Sequence, residues 1–306
     1  MKKEKIILFI KILIIIILII NIYLSIKESK NYFITKLSIN ENYDMFNEKI
    51  FKDFSLYNKI FSEYSSIDKK ELYSTPYIPN GFKFVYGTWN SGFVIEDEYE
   101  NQFVWVPCNT KKDKKTAFLN KYNFDENPFI KKNECAEIYE NIEDFFKSVY
   151  QNGGFYIARY ETGTQSQIPV IKKDVSIYTN ISYDEAKKIS DNFYSNTDFT
   201  SSLINSYAYD TAYNWIISTN ESNNLHKKRE QLLTGNNSLN NIYDLNDTVW
   251  EWSTEAFYEN MICRGISDND IYSSEYSMGN RYALSKDTLL DTIGFRIILF
   301  KNSIFN

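Results

Sequence analysis

Histidine, glycine and proline are scarce in this chain of 306 residues. The single histidine, His226, lies in the charged run NNLHKKRE and is expected to be solvated. A histidine-rich zinc site is therefore excluded, and a Ser-His-Asp triad is disfavoured. Only 10 glycines and 5 prolines argue against a fibrous or low-complexity chain. With 43% hydrophobic residues, the chain can bury the core of one large domain or two modest ones.

Cysteine is also rare, and Cys108, Cys135 and Cys263 form no C-x-x-C pair. An odd number in an exported chain leaves at least one thiol unpaired within the monomer. Cys108 and Cys135 flank a lysine-rich insertion. Two alternatives stay open for them: a disulfide that closes the insertion, or ordinary free cysteines.

A basic surface is missing from most of the chain. Six lysines and two glutamates leave residues 1–30 at +4, against −6 for the whole chain, so the remainder carries −10. An acidic body without a basic stripe makes nucleic acid an unexpected partner.

The N-terminus has the pattern of a membrane anchor. Residues 1–5, MKKEK, form a short basic start, and residues 6–26 are nearly all apolar. This is about the ~20 residues that span a bilayer. No small-residue cleavage pattern follows, so we expect an uncleaved signal-anchor, with a cleaved signal peptide as the alternative. The early lysines favour a cytoplasmic N-terminus and an extracytoplasmic body at the cell membrane, although Lys27, Lys30 and Lys36 weaken this bias.

The amino-acid composition of the remaining chain changes near residue 76, which divides it into two parts. Residues 27–75 contain no glycine or proline and space their apolar residues as amphipathic helices do, which predicts a helical stalk. Residues 76–301 contain short apolar runs between turn signals, which predict strands. These runs are FKFVYG, GFVIED, QFVWVP, GFYIARYE and IGFRIILF.

Two helices are predicted in the second half. Ile181–Tyr194 begins with Ser182 as N-cap and has Glu185 three residues later, a capping box. Ser201–Thr219 is the second predicted helix. Strands followed by helices, loops and more strands indicate an α+β domain rather than alternating βαβ units.

The segment VWEWSTE contains the most unusual cluster. On a strand, Trp250 and Trp252 point the same way, and Glu251 points to the other face. The favoured interpretation is that both rings lie in the core and Glu251 is solvated. The alternative is that a buried aromatic wall holds Glu251 for metal binding or hydrogen bonding.

In chain order, these segments resemble the motifs of the formylglycine-generating enzyme, or sulfatase-modifying factor, family, in particular its bacterial members. The resemblance covers roughly residues 77–300 and implies a C-type-lectin-like fold. The segments that carry it are GGFYIARYETG, ISYDEAKKI, IYDLNDTVWEWSTE, CRGIS, SMGNR and IGFRIIL. The signature positions that they supply are Trp250, Trp252, Arg264, Arg281, Gly294, Phe295 and Arg296.

The resemblance also implies a copper and a calcium ion, but at both sites the ligand residues of this sequence differ from those of the family. The family oxidises a substrate cysteine at copper held by two thiolates, and soft thiolates suit Cu(I). Residues 268–276, where these cysteines belong, contain none, and Cys263 lies outside the interval, so we do not expect copper or catalytic residues. The family's calcium ligands correspond to Glu251 and Thr248, with Asp247 as a substitute donor. A calcium site and a metal-free hydrogen-bonded turn both stay open here.

The expected protein is therefore membrane-anchored, with a non-catalytic sulfatase-modifying-factor-like domain used for binding. Its ligand is a protein, a peptide or a glycan. The alternatives are a divergent oxidase that acts on a sulfatase cysteine, and a structural surface module of an envelope assembly. Arg296 is expected to tie strands together by hydrogen bonds.

Overall fold

The computed structural model describes residues 55–60, 76–109, 116–122, 130, 132–194, 198–220, 233–236, 238–245, 248–265 and 279–302. All of them belong to one unit, Lys49–Asn306. The predicted anchor at residues 6–26 lies outside the described residues, as do His226 and Asp247. Within the described residues, no helix combines the length and apolar character that crossing a bilayer requires.

Strands predominate over helices, so the α+β class is confirmed. The helices are α1 Ile142–Asn152, α2 Tyr183–Asp191 and α3 Ser206–Thr219, with a 3₁₀ turn at Lys132–Glu134. The strands are β1 Phe82–Tyr86, β2 Val94–Asp97, β3 Gln102–Asn109, β4 Ala117–Phe118, β5 Ala136–Glu137, β6 Gly154–Ala158, β7 Gly163–Gln165, β8 Ile168–Val170, β9 Ser176–Ile177, β10 Phe199–Leu203, β11 Ser238–Leu239, β12 Ile242–Tyr243, β13 Trp250–Phe257, β14 Asn260–Arg264, β15 Arg281–Leu284, β16 Ile293–Phe295 and β17 Ile297–Lys301. The apolar runs quoted above all contribute strands.

Two larger sheets organise these strands. One has the order β1-β2-β3-β6-β17-β10, with β4 added beside β3. The other has the order β15-β14-β13-β16, with β5 added beside β13. Smaller sheets are formed by β8-β7-β9 and by β11-β12. The chain passes from β16 in the second sheet to β17 in the first through one residue, Arg296.

The main core lies where α1 and α3 meet the first sheet. Phe145, Phe146 and Val149 of α1 are buried together with Tyr207 and Trp215 of α3. Burying an apolar side chain of this size stabilises the fold by about 1.5–3 kcal/mol. Gly153, at φ 76°, ends α1 in the left-handed conformation that glycine adopts without strain.

Two sequence-based expectations about helices need correction. The predicted helix Ser201–Thr219 begins at Ser206, because residues 199–203 pair with β17 and Asn205 caps the helix by accepting from the Ala208 amide at 2.8 Å. Residues 55–60, assigned to the stalk, form a helical segment whose Tyr57 and Ile60 are buried in the core. This part of the chain therefore belongs to the domain. The Ser182 cap of α2 is confirmed, since its hydroxyl accepts from the Glu185 amide at 3.3 Å.

Candidate functional site

Strand β13 carries the Trp-Glu-Trp segment through the middle of the second sheet. It pairs with β14 on one side and with β16 on the other, so that Glu251 lies between Arg264 and Gly294. Trp250, Glu251 and Trp252 are all buried, and the Trp252 indole donates to the Ile181 carbonyl at 3.0 Å. The interpretation of Glu251 as solvated was therefore wrong. Both faces of this strand are covered, so the alternation of side chains does not distinguish core from solvent.

Glu251 binds Arg296 in a buried ion pair. The Arg296 Nη2 and Nε atoms lie 2.7 and 2.9 Å from Glu251 Oε1, and Nε lies 3.2 Å from Oε2. The guanidinium also donates to the carbonyls of Ala158 and Tyr243, each at 3.0 Å. Burial lowers the pKa of Arg296, but the Glu251 carboxylate more than offsets this, so the pKa lies above its usual value. Arg296 thus ties β6, β12 and β13 together at the switch between sheets.

This pairing leaves no suitable place for calcium at Glu251. Both carboxylate oxygens already accept from a guanidinium, and a divalent cation there would have to displace Arg296. Thr248 is buried with φ 91°, and its hydroxyl has no hydrogen-bond partner among the described residues. Within the described ranges, no three His, Cys, Asp or Glu side chains are grouped for metal binding. Glu251 and Thr248, the two proposed ligands that the structure describes, therefore do not fit the implied calcium ion.

Gly294 and Phe295 support the same strand. A Cβ atom on Gly294 would approach Val249 Cγ2 to 3.2 Å and Ile177 Cγ2 to 3.3 Å, so this position favours the smallest residue. Phe295 is fully buried, and its ring centroid lies 5.9 Å from that of Tyr178. Both signature residues pack against neighbours and present no reactive group.

The two other signature arginines belong to a second buried group, which we call the buried ion cluster: Lys121, Asp210, Glu255, Arg264 and Arg281. Arg281 Nε lies 2.8 Å from Glu255 Oε2, and its Nη2 lies 3.0 Å from Asp210 Oδ2. Lys121 Nζ lies 3.3 Å from Glu255 Oε1, and Arg264 binds the other oxygen of Asp210. The cluster joins α3 to β13, β14 and β15.

Mutual pairing keeps the buried ion cluster charged. Burial raises the pKa of Glu255, but Arg281, Lys121 and Arg264 together outweigh it and hold that pKa at about 2. The motif comparison included Arg264 and Arg281 but missed Lys121, Asp210 and Glu255. Asp210 did carry a signal, because it is the one charged residue in the otherwise apolar and hydroxyl-rich helix α3.

The cysteines do not offer a copper site. Cys108, Cys135 and Cys263 are all buried free thiols, so the disulfide alternative is not realised. Cys263 lies in the sheet opposite Trp252 on β13 and Tyr282 on β15. Burial raises the pKa of Cys263 and of Cys135 well above the usual thiol value, which disfavours the thiolates that copper requires.

An open groove of about 900 Å³ lies between the β2–β3 turn, the β7–β8 hairpin and the end of α2. Its lining combines apolar and aromatic side chains with carboxylates, amides and one lysine. Six of the lining residues are Tyr99, Asn101, Ile168, Lys172, Phe193 and Tyr194. Tyr99 and Ile168 are 68% and 64% exposed, so both side chains are open to contact with a ligand.

A buried carboxylate fixes one wall of this groove. Asp97 accepts hydrogen bonds from the amides of Tyr99 and Asn101 at 2.9 and 2.8 Å and from the Asn101 side chain at 2.9 Å. The Tyr194 hydroxyl also donates to Asp97, and burial together with this carboxylate raises the pKa of Tyr194. Asn101 in turn accepts from the Ile171 amide at 2.8 Å. The groove wall is therefore held in place before any ligand arrives, which lowers the entropic cost of binding.

No family model, curated protein or solved structure matches this chain.

Proposed function

We propose that this chain is a membrane-anchored, extracytoplasmic protein whose domain binds a ligand without catalysing a reaction. The proposed fold is the C-type-lectin-like fold of the sulfatase-modifying factors. The ordered motifs of the sequence and the α+β architecture support this proposal. The anchor at residues 6–26 rests on the sequence pattern alone.

The groove is the observation that carries the binding role. It is open and largely apolar, and fixed polar groups such as Asn101 lie at its wall, which is the usual composition of ligand sites. By contrast, the centre of the signature is filled by ion pairs, and the thiols are buried. The ligand is proposed to be a protein segment, a peptide or a glycan.

Arrays of peptides and of cell-wall glycans, probed with the full-length protein, test this proposal. A ligand of the groove should lose binding to the Tyr99→Ala and Ile168→Ala variants. The matched controls are Tyr258→Ala and Leu289→Ala, since these residues are 46% and 57% exposed and do not line the groove. The absence of any ligand, or equal loss in the control variants, would contradict a binding role for the groove.

The oxidase alternative needs a separate assay. The full-length protein is loaded with Cu(I) and incubated with cysteine-containing peptides and O₂, and aldehyde formation is followed by mass spectrometry. Because the buried thiols disfavour copper binding, no aldehyde is expected. Aldehyde formation that is lost in a Cys263→Ser variant would replace the binding proposal with an oxidase.

The membrane anchor can be tested by fusing a reporter that is active only outside the cytoplasm to the C-terminus. The fusion should be active and should remain with the membranes after alkaline extraction. Deleting residues 6–26 should abolish both properties. An active reporter that is released in soluble form would instead indicate a cleaved signal peptide.

A further inference from the structure

Arg159 differs from the other strongly buried cations. Lys121, Arg264, Arg281 and Arg296 each lie within 4.0 Å of at least one carboxylate oxygen. Arg159 is only 6% exposed, yet it forms no ion pair with any residue that the structure describes. A buried charge without a counter-ion is costly, which makes this arginine the exception to explain.

Neutral groups surround the Arg159 guanidinium. The rings of Tyr86, Tyr160 and Tyr243 lie 4.7, 5.2 and 5.0 Å from its central carbon, and such faces attract a cation. Its Nε atom donates to the Asn241 carbonyl at 3.2 Å. Its Nη1 atom donates to the side-chain carbonyl of Gln102 at 2.5 Å. Together with the Tyr243 hydroxyl, which also accepts from Arg159, these acceptors use only part of the five N–H donors of a guanidinium, and none of them cancels its charge.

Within the part of the chain that the structure describes, Glu96 is linked to Arg159 only through Gln102. The side-chain amide of Gln102 donates a hydrogen bond to Glu96 at 2.6 Å, and Glu96 also forms an ion pair with Lys83 at 3.1 Å. On the other side, Asp244 accepts from the amides of Gly235 and Asn236 at 2.8 and 3.0 Å. Both Glu96 and Asp244 therefore have other partners.

Arg159 places a positive charge beside the Tyr243 ring. Burial raises the pKa of Tyr243. Hydrogen bonds with Arg159 and Ser238, together with the charges of Arg159 and Lys173, lower it by more, so the pKa lies below its usual value. Tyr243 is only half-buried, and Tyr86 is 38% exposed. The positive region consequently meets solvent at the side where these two rings lie.

We propose that Arg159, with Tyr86 and Tyr243 beside it, binds an oxyanion, namely a carboxylate or phosphate group of a ligand. The guanidinium edge is suited to such groups because it donates two parallel hydrogen bonds to them. The anion enters next to the exposed Tyr86 ring and supplies the counter-charge that Arg159 does not find among the described residues. Arg159, Tyr86 and Tyr243 do not line the groove, and this site does not rest on the proposed function.

Calorimetric titration of the full-length protein with inorganic phosphate, at fixed ionic strength in chloride, tests the proposal. We expect saturable binding that weakens roughly tenfold or more in Arg159→Gln, because a charge-assisted bidentate contact is lost. Lys286→Gln is the control, since it removes a surface cation that pairs with Asp184 and, among the described residues, contacts neither Arg159 nor its partners. Acetate and glucuronate, titrated in the same way, show whether a carboxylate or a phosphate is preferred. Lack of saturable binding by all three anions, or equal binding by Arg159→Gln, would overturn the proposal.

A second measurement avoids the risk that Arg159→Gln does not fold. Phosphate at saturation should raise the pKa of Tyr243 in the otherwise unaltered protein, because the anion offsets the neighbouring positive charge. This pKa is followed by tyrosinate absorbance, with Tyr243→Phe identifying the signal. An unchanged pKa would refute the site. The groove variant Tyr99→Ala should bind phosphate normally, so failure of this proposal and failure of the groove proposal can be distinguished.

Discussion

The ion pair between Glu251 and Arg296 allows the sharpest prediction about stability. Glu251→Gln keeps the shape of the side chain but leaves the Arg296 guanidinium, which is fully buried, without its carboxylate. Breaking one partner of a buried pair costs about 3–5 kcal/mol. With a denaturant dependence of about 3 kcal/mol per M of urea, the unfolding midpoint should fall by about 1–1.7 M.

Urea unfolding of the full-length protein, followed by tryptophan fluorescence, measures this shift. A double variant, Glu251→Met with Arg296→Met, separates the charge from the remaining contacts. It should recover part of the loss, because no buried charge is left behind. It should not recover all of it, since the Ala158 and Tyr243 carbonyls lose their donor. A loss below about 1 kcal/mol in Glu251→Gln would refute the reasoning.

Three further predictions concern single residues. The pKa of Glu255 is about 2 in the folded protein against about 4.3 unfolded, so its ~3 kcal/mol of stability is present above about pH 4 and is lost as the pH falls towards 2. Glu255→Gln should therefore lose less stability over this pH range in urea titrations, and an equally steep loss would contradict the assignment. Ser182→Ala should cost about 1 kcal/mol through loss of the α2 cap, and an unchanged unfolding midpoint would contradict that role. Gly92→Ala should cost more than about 2 kcal/mol, because its φ is +97° and the new Cβ would meet the Asn240 carbonyl oxygen at 1.9 Å. Gly81→Ala, with φ +88° but open space around it, should cost only about 1–2 kcal/mol in thermal unfolding, and equal losses would exclude the steric explanation.

The sequence predicted those elements that depend on local pattern. Alternating apolar runs bounded by glycine or proline became strands, and the Ser182 capping box became a helix start, because both follow from neighbouring residues alone. Helix α1 was missed although Ile142, Phe145, Phe146 and Val149 have helical spacing. The start of α3 was misplaced because the pairing of residues 199–203 with β17 depends on residues about 100 positions away.

The sequence by itself determined the α+β class and the burial of Trp250 and Trp252. Only the tertiary structure decided which charged side chains are buried and with which partners they pair. Glu251 is buried because β13 is covered on both faces, and its partner lies 45 positions further along the chain. Asp210, Glu255 and Arg281 meet only because a helix and two strands converge, which no local pattern contains. Among the described residues, Arg159 has no carboxylate partner for a similar physical reason: the fold pairs Glu96 with Lys83 and Asp244 with the amides of Gly235 and Asn236.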